Sequence, residues 1–395
     1  MKSMLVRDDL RAIAEKVRSK VFTACDQDAD VIISTDPTHV GYLCGYRSIL
    51  FDLMRDYRAA AIVTRDKAVL VTGASDVAAA LEVLCDPACI YRYGLFFFES
   101  SNGAGVDLSA LPKPESTFVD ALCAAVAATV KPRQRVGLDC ASAWELQELK
   151  NLAGPRSFDA RPAILKARRT KLPEEIEKIA HAATITERGL EKALARGKAG
   201  VSELDLSTII AGEMRAGGGV PRFVVVTSGE RSALADAYAT PAKLRSGDLV
   251  RFDIGCTVDG YWADMARTAV VGEPTREQQQ RYDALLAGEE AQRALARSGV
   301  SAGNLFKVAV ERVRQGALPA YRRSNCGHGI GIDVHEFPAL SAANEGVALE
   351  DGMTLCVETP YYQISWGGMM VEDMIVVGPT GNECLTHLPR ELRRL

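Results

Sequence analysis

The stretch Asp253-Ile-Gly-Cys-Thr-Val-Asp-Gly-Tyr-Trp-Ala-Asp264 puts two carboxylates at the ends of what reads as a hairpin set in apolar sequence. Val250, Phe252 and Ile254 surround Asp253 as in a buried strand. Val258-Asp259-Gly260 is a turn signal that sends the chain back toward Asp264. Two carboxylates brought together in such company repel each other and resist ionisation unless a cation sits between them. An exposed acidic hairpin would need no cation, so the pair alone leaves both readings open.

Three further clusters bear on the choice. Gly327-His328-Gly329-Ile330-Gly331-Ile332-Asp333-Val334-His335-Glu336 holds two of the five histidines of the chain within eight residues. Its glycine spacing does not match the G-x-G-x-x-G of a dinucleotide loop. Glycines on both sides of His328 would instead let the backbone bring an imidazole close to another group. Glu358 ends the apolar run Leu355-Cys356-Val357, and Glu372 sits inside Met369-Met370-Val371-Glu372-Asp373-Met374. A glutamate in such a run is costly if charged and unpaired, though each one alone also fits a strand edge facing water. The methionines read as core fillers.

The rest of the 395 residues reads as a soluble protein of two parts. A net charge of −4 gives no basic footprint for nucleic acid, and no apolar run approaches the roughly 20 residues of a membrane span. Lys2 and Arg7 are followed by Asp8 and Asp9 without an apolar signal core, which reads as cytoplasmic. The ten cysteines include no C-x-x-C pair and read as reduced, buried thiols. The pattern predicts an α/β domain over residues 1–165. Its elements are a helix carrying Leu10, Ile13, Val17 and Val21, strands at Val31–Ser34, Ala59–Thr64 and Ala68–Thr72, and helices at Ser75–Leu84 and Phe118–Val130. Asp36-Pro37 reads as a turn, the stretch from Asn102 to Pro114 as loose, and Lys166 to Lys171 as a basic connector.

Residues 166–395 predict an α+β domain. One helix opens at Pro173 with Glu174 and Glu175 in its first turn. A second is capped by Ser202 and Asp205 and stops at Gly217-Gly218-Gly219. Strands are expected at Arg222–Ser228, Leu249–Gly255, Thr268–Val271, Thr354–Thr359 and Met370–Val377, and helices over 275–298 and 302–315.

Taken together, two aspartates, one histidine and two glutamates suit a pair of divalent ions such as Mn²⁺, Co²⁺, Fe²⁺ or Zn²⁺. Four carboxylates balance two such ions and leave room for a bridging hydroxide, the nucleophile of a two-metal hydrolase. The order and spacing of Asp253, Asp264, His328, Glu358 and Glu372 resemble the metal site of the pita-bread metallopeptidases, which include methionine aminopeptidase, aminopeptidase P and prolidase. The segment Asp30 to Arg47, with Thr35-Asp36-Pro37 and Tyr42-Leu43-Cys44-Gly45-Tyr46, resembles the smaller N-terminal domain of prolidase, aminopeptidase P and creatinase.

The resemblance implies an α+β fold, with a C-terminal pita-bread domain behind a smaller α/β creatinase-like one. It implies two divalent ions, Mn²⁺ or Co²⁺ foremost, with Asp253 on one, His328 and Glu358 on the other, and Asp264 and Glu372 bridging. His335 would contact the substrate carbonyl, and Glu358 would shuttle the proton. It also implies hydrolysis of an Xaa-Pro peptide bond and a homodimer, with a short peptide or small molecule as substrate. Two positions depart from the proline-specific members. Asp236, twelve residues before Asp248, stands where they have a histidine, and Met370 where they tend to have an arginine. A carboxylate for an imidazole changes the sign of a subsite, so Asp236 is a candidate substrate contact. The departures keep open a hydrolase or lyase acting on a non-peptide C–N bond, and, as a different class, a binding protein that does no chemistry.

Overall fold

The computed structural model describes residues 7–98, 108–140 and 142–395. They form two compact units, Met1–Arg168 and Arg169–Leu395. Part of the loose stretch expected from Asn102 to Pro114 lies outside the described residues.

The first unit is built on a six-stranded mixed sheet. At its centre Val31–Ser34 runs antiparallel to Ala60–Val63 and parallel to Val136–Asp139. Val31, Ile33, Ile62, Val71 and Leu138 bury one face of the sheet against the helix Phe118–Thr129. That helix presents Phe118, Ala121, Leu122, Ala125 and Val126, the i, i+3, i+4, i+7, i+8 stripe that packs a helix on a sheet. Asp36-Pro37, expected as a turn, opens the helix Pro37–Cys44. The Asp36 carboxylate accepts from the N–H groups of Thr38 and His39, and Pro37 takes the first helical position. The expected connector is likewise helical, as Arg161–Arg169. A buried polar cluster lies beneath this region. Ser34 Oγ donates to Asp139 at 2.5 Å, and His39 Nδ1 lies 2.7 Å from the same carboxylate. Arg168 Nη1 is 2.8 Å from His39 Nε2. Arginine can only donate, so Nε2 accepts and Nδ1 carries the hydrogen given to Asp139.

The second unit holds a ten-stranded sheet covered by four long helices. Pro173–Arg196 begins as anticipated with proline first, and the Glu175 side chain accepts from the Leu172 N–H at 2.8 Å. Glu203–Ala216 is closed by the reciprocal Ser202 and Asp205 bonds. Arg276–Leu295 and Ala302–Gln315 pack Tyr282, Leu285, Ala309 and Val313 with Leu249, Val270 and Val371. The sheet's main path runs Glu336–Ala339, Gly327–Gly329, Thr354–Glu358, Glu372–Val377, Met265–Val270, Leu249–Val258 and Val220–Ser228. Among the described residues, no helix is long and apolar enough to cross a membrane.

Candidate metal centre

Register brings the acidic residues together. Glu358 pairs with Glu372, Glu372 with Ala266, and Ala266 with Asp253, a row across four adjacent strands. Directly paired residues of an antiparallel sheet point to the same face. Ala266, the small member of the row, leaves open the space between Asp253 and Glu372. The hairpin turns at Asp259 and Gly260, both at positive φ as a two-residue loop of this twist requires, and returns Asp264 to the same face. One step along, His328 pairs with Cys356, and Cys356 with Met374.

The glycines around His328 act on the strands more than on the ring. Gly327 sits at φ +130°, and a Cβ there would lie 2.1 Å from the Cys356 carbonyl oxygen; at Gly329 a Cβ would lie 2.7 Å from that of Phe337. Only glycine lets the three strands approach this closely. His328 Nδ1 faces its neighbour's carbonyl, Gly329 O, at 3.0 Å. That fixes the tautomer and leaves the Nε2 lone pair facing Asp264 Oδ2 at 3.8 Å and Glu372 Oε1 at 3.9 Å. Asp264 Oδ1 and both carboxylate oxygens of Glu372 are buried without a hydrogen-bond partner.

Lone pairs turned on one another in a buried space are the arrangement a cation satisfies. The donor set, carboxylate oxygens with an imidazole nitrogen, suits a divalent metal of borderline character. Electrostatics agree. Burial, then Asp253 and Glu358, hold the Asp264 carboxyl well above the usual range. Burial, then Asp264 and Glu358, do the same to Glu372. Burial, opposed by Arg323 and aided by Asp253, pushes Glu358 up to about 7. Burial and then His335 bring His328 down to about 4. Asp253 is also raised by burial, against the pull of Arg251. Burial and mutual repulsion thus disfavour the charged forms of these carboxyls, a cost that a bound cation would relieve.

Asp264, His328 and Glu372 form the tightest group, joined by Cys356, with ligand atoms all within 4.8 Å of one another. Asp253 and Glu358 flank it on the shared row. The exposed His335 ring stands edge-on to His328 with centroids 4.1 Å apart. The Glu336 carboxylate holds its loop by accepting from Ile332 N at 2.9 Å and Lys171 Nζ at 2.8 Å. Asp236 is exposed on the loop before Leu249, outside the tight group, though its charge bears on Asp253.

Arg251, unanticipated from the sequence, is wholly buried two residues before Asp253. Nη1 donates to Asp253 Oδ2 at 2.9 Å, Nε to Ser232 O at 3.1 Å, and Nη2 to Leu234 O at 2.8 Å. It ties the loop carrying Asp236 to the strand carrying Asp253. Arg323 is the second unanticipated cation. Its guanidinium lies 5.7 Å from the Tyr362 ring centre and that of Arg251 lies 5.3 Å from it, while the Tyr362 hydroxyl reaches Met370 Sδ at 3.8 Å. Positive charge thus stands near Met370 although that position is not an arginine. An arginine two residues from an aspartate in an otherwise apolar strand was the available signal for Arg251; Arg323 carried none.

An α/β N-terminal unit followed in sequence by a sheet that gathers a candidate metal-ligand set on one face defines a known class. The chain belongs to metallopeptidase family M24, whose model matches residues 177–379, and the creatinase/prolidase N-terminal domain matches residues 23–170. It is a metal-dependent peptidase of that family, with the pita-bread α+β fold. It is 29% identical to the Xaa-Pro dipeptidase of Pyrococcus furiosus over 267 residues, 67% of this chain and 76% of that one. In fold it is similar to the dipeptidase PepE of Mycobacterium ulcerans (TM-score 0.78, 24% identity, 97% of this chain and 98% of that one). It is also similar to the prolidase of Pyrococcus furiosus (TM-score 0.74, 24% identity, 94% and 100%).

Proposed function

We propose that this chain is a dinuclear metal-dependent dipeptidase with Xaa-Pro dipeptides as its substrates. The observation that carries the proposal is the buried grouping of Asp264 and Glu372 carboxylates, which hold unpartnered oxygens, around His328 Nε2. The relatives' name, Xaa-Pro dipeptidase, supports the substrate. In this reading Asp253 would help hold one ion, His328 and Glu358 the other, and Asp264 and Glu372 would serve both. Manganese or cobalt are the proposed ions, ahead of iron or zinc. Bound, they would supply Lewis acidity and lower the pKa of a water molecule toward about 7.

The protein's own groups orient and protonate. His335, on a loop pinned by Glu336, presents its ring to the scissile carbonyl oxygen, where negative charge develops. Glu358, at the end of its strand, carries a proton to the leaving nitrogen. Asp236 meets the ammonium end of the dipeptide. Arg251 holds the Asp236 loop and Asp253 in fixed relation.

A homodimer in the cytoplasm extends the proposal. All ten cysteines are free thiols, which suits a reducing compartment, and the exposed Leu95, Phe96 and Phe97 offer apolar surface for self-association. The test is turnover of a dipeptide panel, Xaa-Pro against Xaa-Ala, by protein loaded with Mn²⁺ or Co²⁺. Xaa-Pro cleavage that a chelator abolishes is expected. Loaded protein that cleaves no dipeptide overturns the proposal.

A further inference from the structure

The cluster contains a sulfur that the five-residue ligand set does not include. Cys356 lies two residues before Glu358 on the strand Thr354–Glu358, so both side chains face the site. In register it stands between His328 and Met374. Its Sγ is within 4.8 Å of the ligand atoms of Asp264, His328 and Glu372. The residue is wholly buried, and the backbone oxygen of Asp264, 3.8 Å away, is a weak partner for the thiol. The neighbouring sulfur is already engaged, since Met374 Sδ accepts the Asp264 N–H at 3.4 Å. The carboxylates of Asp264 and Glu372, which border the same buried space, hold oxygens without a hydrogen-bond partner. Two carboxylates, an imidazole nitrogen and a thiol converging on one buried point make a four-donor set with mixed softness.

We propose that Cys356 is a ligand in its own right, binding as a thiolate the ion held by Asp264, His328 and Glu372. The inference rests on the metal-dependent reading above. When the ion binds, the S–H bond breaks, a metal–sulfur bond forms and the proton leaves to the buffer. A thiolate is a softer donor than a carboxylate, so of the two proposed ions this position favours cobalt over manganese, while both still bind. The ion at Asp253 keeps an oxygen environment, and the two positions differ in the metals they prefer.

The test titrates metal-free full-length protein with Co²⁺ and follows two absorption regions. Visible ligand-field bands report that cobalt binds. A near-ultraviolet sulfur-to-cobalt charge-transfer band reports a thiolate ligand. Both are expected in the wild type. Cys356→Ser should keep the visible bands, lose the near-ultraviolet band, and bind zinc about 10–100-fold more weakly, with manganese affinity changed less than about 3-fold. Visible bands without the near-ultraviolet band in the wild type, or a near-ultraviolet band that survives in Cys356→Ser, overturn the thiolate and leave the metal site standing. No cobalt binding at all overturns the metal-dependent reading itself. Should the serine variant not fold, X-ray absorption of the cobalt-loaded wild type decides. A sulfur scatterer at about 2.3 Å is expected, and a shell of only oxygen and nitrogen refutes it.

Discussion

Glu289 lies wholly inside the C-terminal unit on the helix Arg276–Leu295, in the ionic network behind the strand that carries Glu372. Arg267 Nη1 donates to the Glu372 carbonyl at 2.6 Å, and its Nη2 reaches Asp373 Oδ1 at 2.6 Å. Arg390 binds the other oxygen of Asp373, and Thr386 Oγ1 donates to Oδ1 at 2.6 Å. Burial favours a proton on Asp373, but Arg267 and Arg390 outweigh it and hold that carboxyl below its usual range. Glu289 receives no such help. Arg293 Nε approaches its Oε1 at 2.6 Å, yet neither carboxylate oxygen is in a hydrogen bond. Burial and the charge of Asp373 push its carboxyl up to about 8.

The linkage has a definite sign. Between the unfolded value of 4.5 and about 8, the folded state binds the extra proton, so stability falls as pH rises through that window and is flat above it. At about 1.4 kcal/mol per pH unit, the loss from this group between pH 5 and 8 is about 3–4 kcal/mol. Glu289→Gln keeps the shape and removes the titration. The stability difference between variant and wild type, both metal-free, should therefore grow in the variant's favour by about 3–4 kcal/mol from pH 5 to pH 8. Urea unfolding at a series of pH values measures it, with the fluorescence of Trp262 and Trp366 reporting on this unit. A difference independent of pH would show that Glu289 is ionised in the fold and paired with Arg293, and would refute the reasoning.

Three further outcomes are expected. His335→Ala should retain its metal and lose about 10²–10³-fold in kcat; unchanged turnover removes His335 from the carbonyl role. Gly327→Ala sets a Cβ against the Cys356 carbonyl and should cost about 3 kcal/mol or more, read by thermal unfolding, and a neutral substitution would contradict the close strand approach. In the N-terminal unit, burial would raise the Asp139 carboxyl, but His39, Ser34 and Arg161 bring it below its usual value. Its contribution is therefore present above the unfolded carboxyl pKa and lost as pH falls through the folded one. Asp139→Asn should cost about 1–3 kcal/mol at pH 7 and flatten the acid limb of that unit's stability, which a pH series of unfolding curves checks.

The proposed metal ligands stand out in the sequence because ionisable side chains inside apolar strands are costly unless something pairs them, and this chain repeats that anomaly at Asp253, Asp264, Glu358 and Glu372. Helix starts were legible where the cap is local, as at Ser202 and Asp205. Asp36-Pro37 misled because the same dipeptide serves a turn and a helix start, and only the buried contacts of Val40, Tyr42 and Leu43 decide between them. The strands Val136–Asp139 and Ser157–Asp159 are too short to show a period; the first is held by Val31–Ser34, far away in the chain, and the second pairs with the first. Arg323 carries no local signal, since the ring of Tyr362 helps define its position, and Arg251 shows only its spacing from Asp253, because the carbonyls that hold it come from another loop. In sequence Cys356 reads as a small buried thiol, and it is buried; which way it faces is a property of register.

The most direct measurement is the metal content of wild-type and Glu372→Gln protein after loading with cobalt or manganese and removal of the excess. About two ions per chain are expected in the wild type, and at most one, with activity lost, in the variant. A Glu372→Gln protein that binds as much metal as the wild type and still turns over would contradict the account.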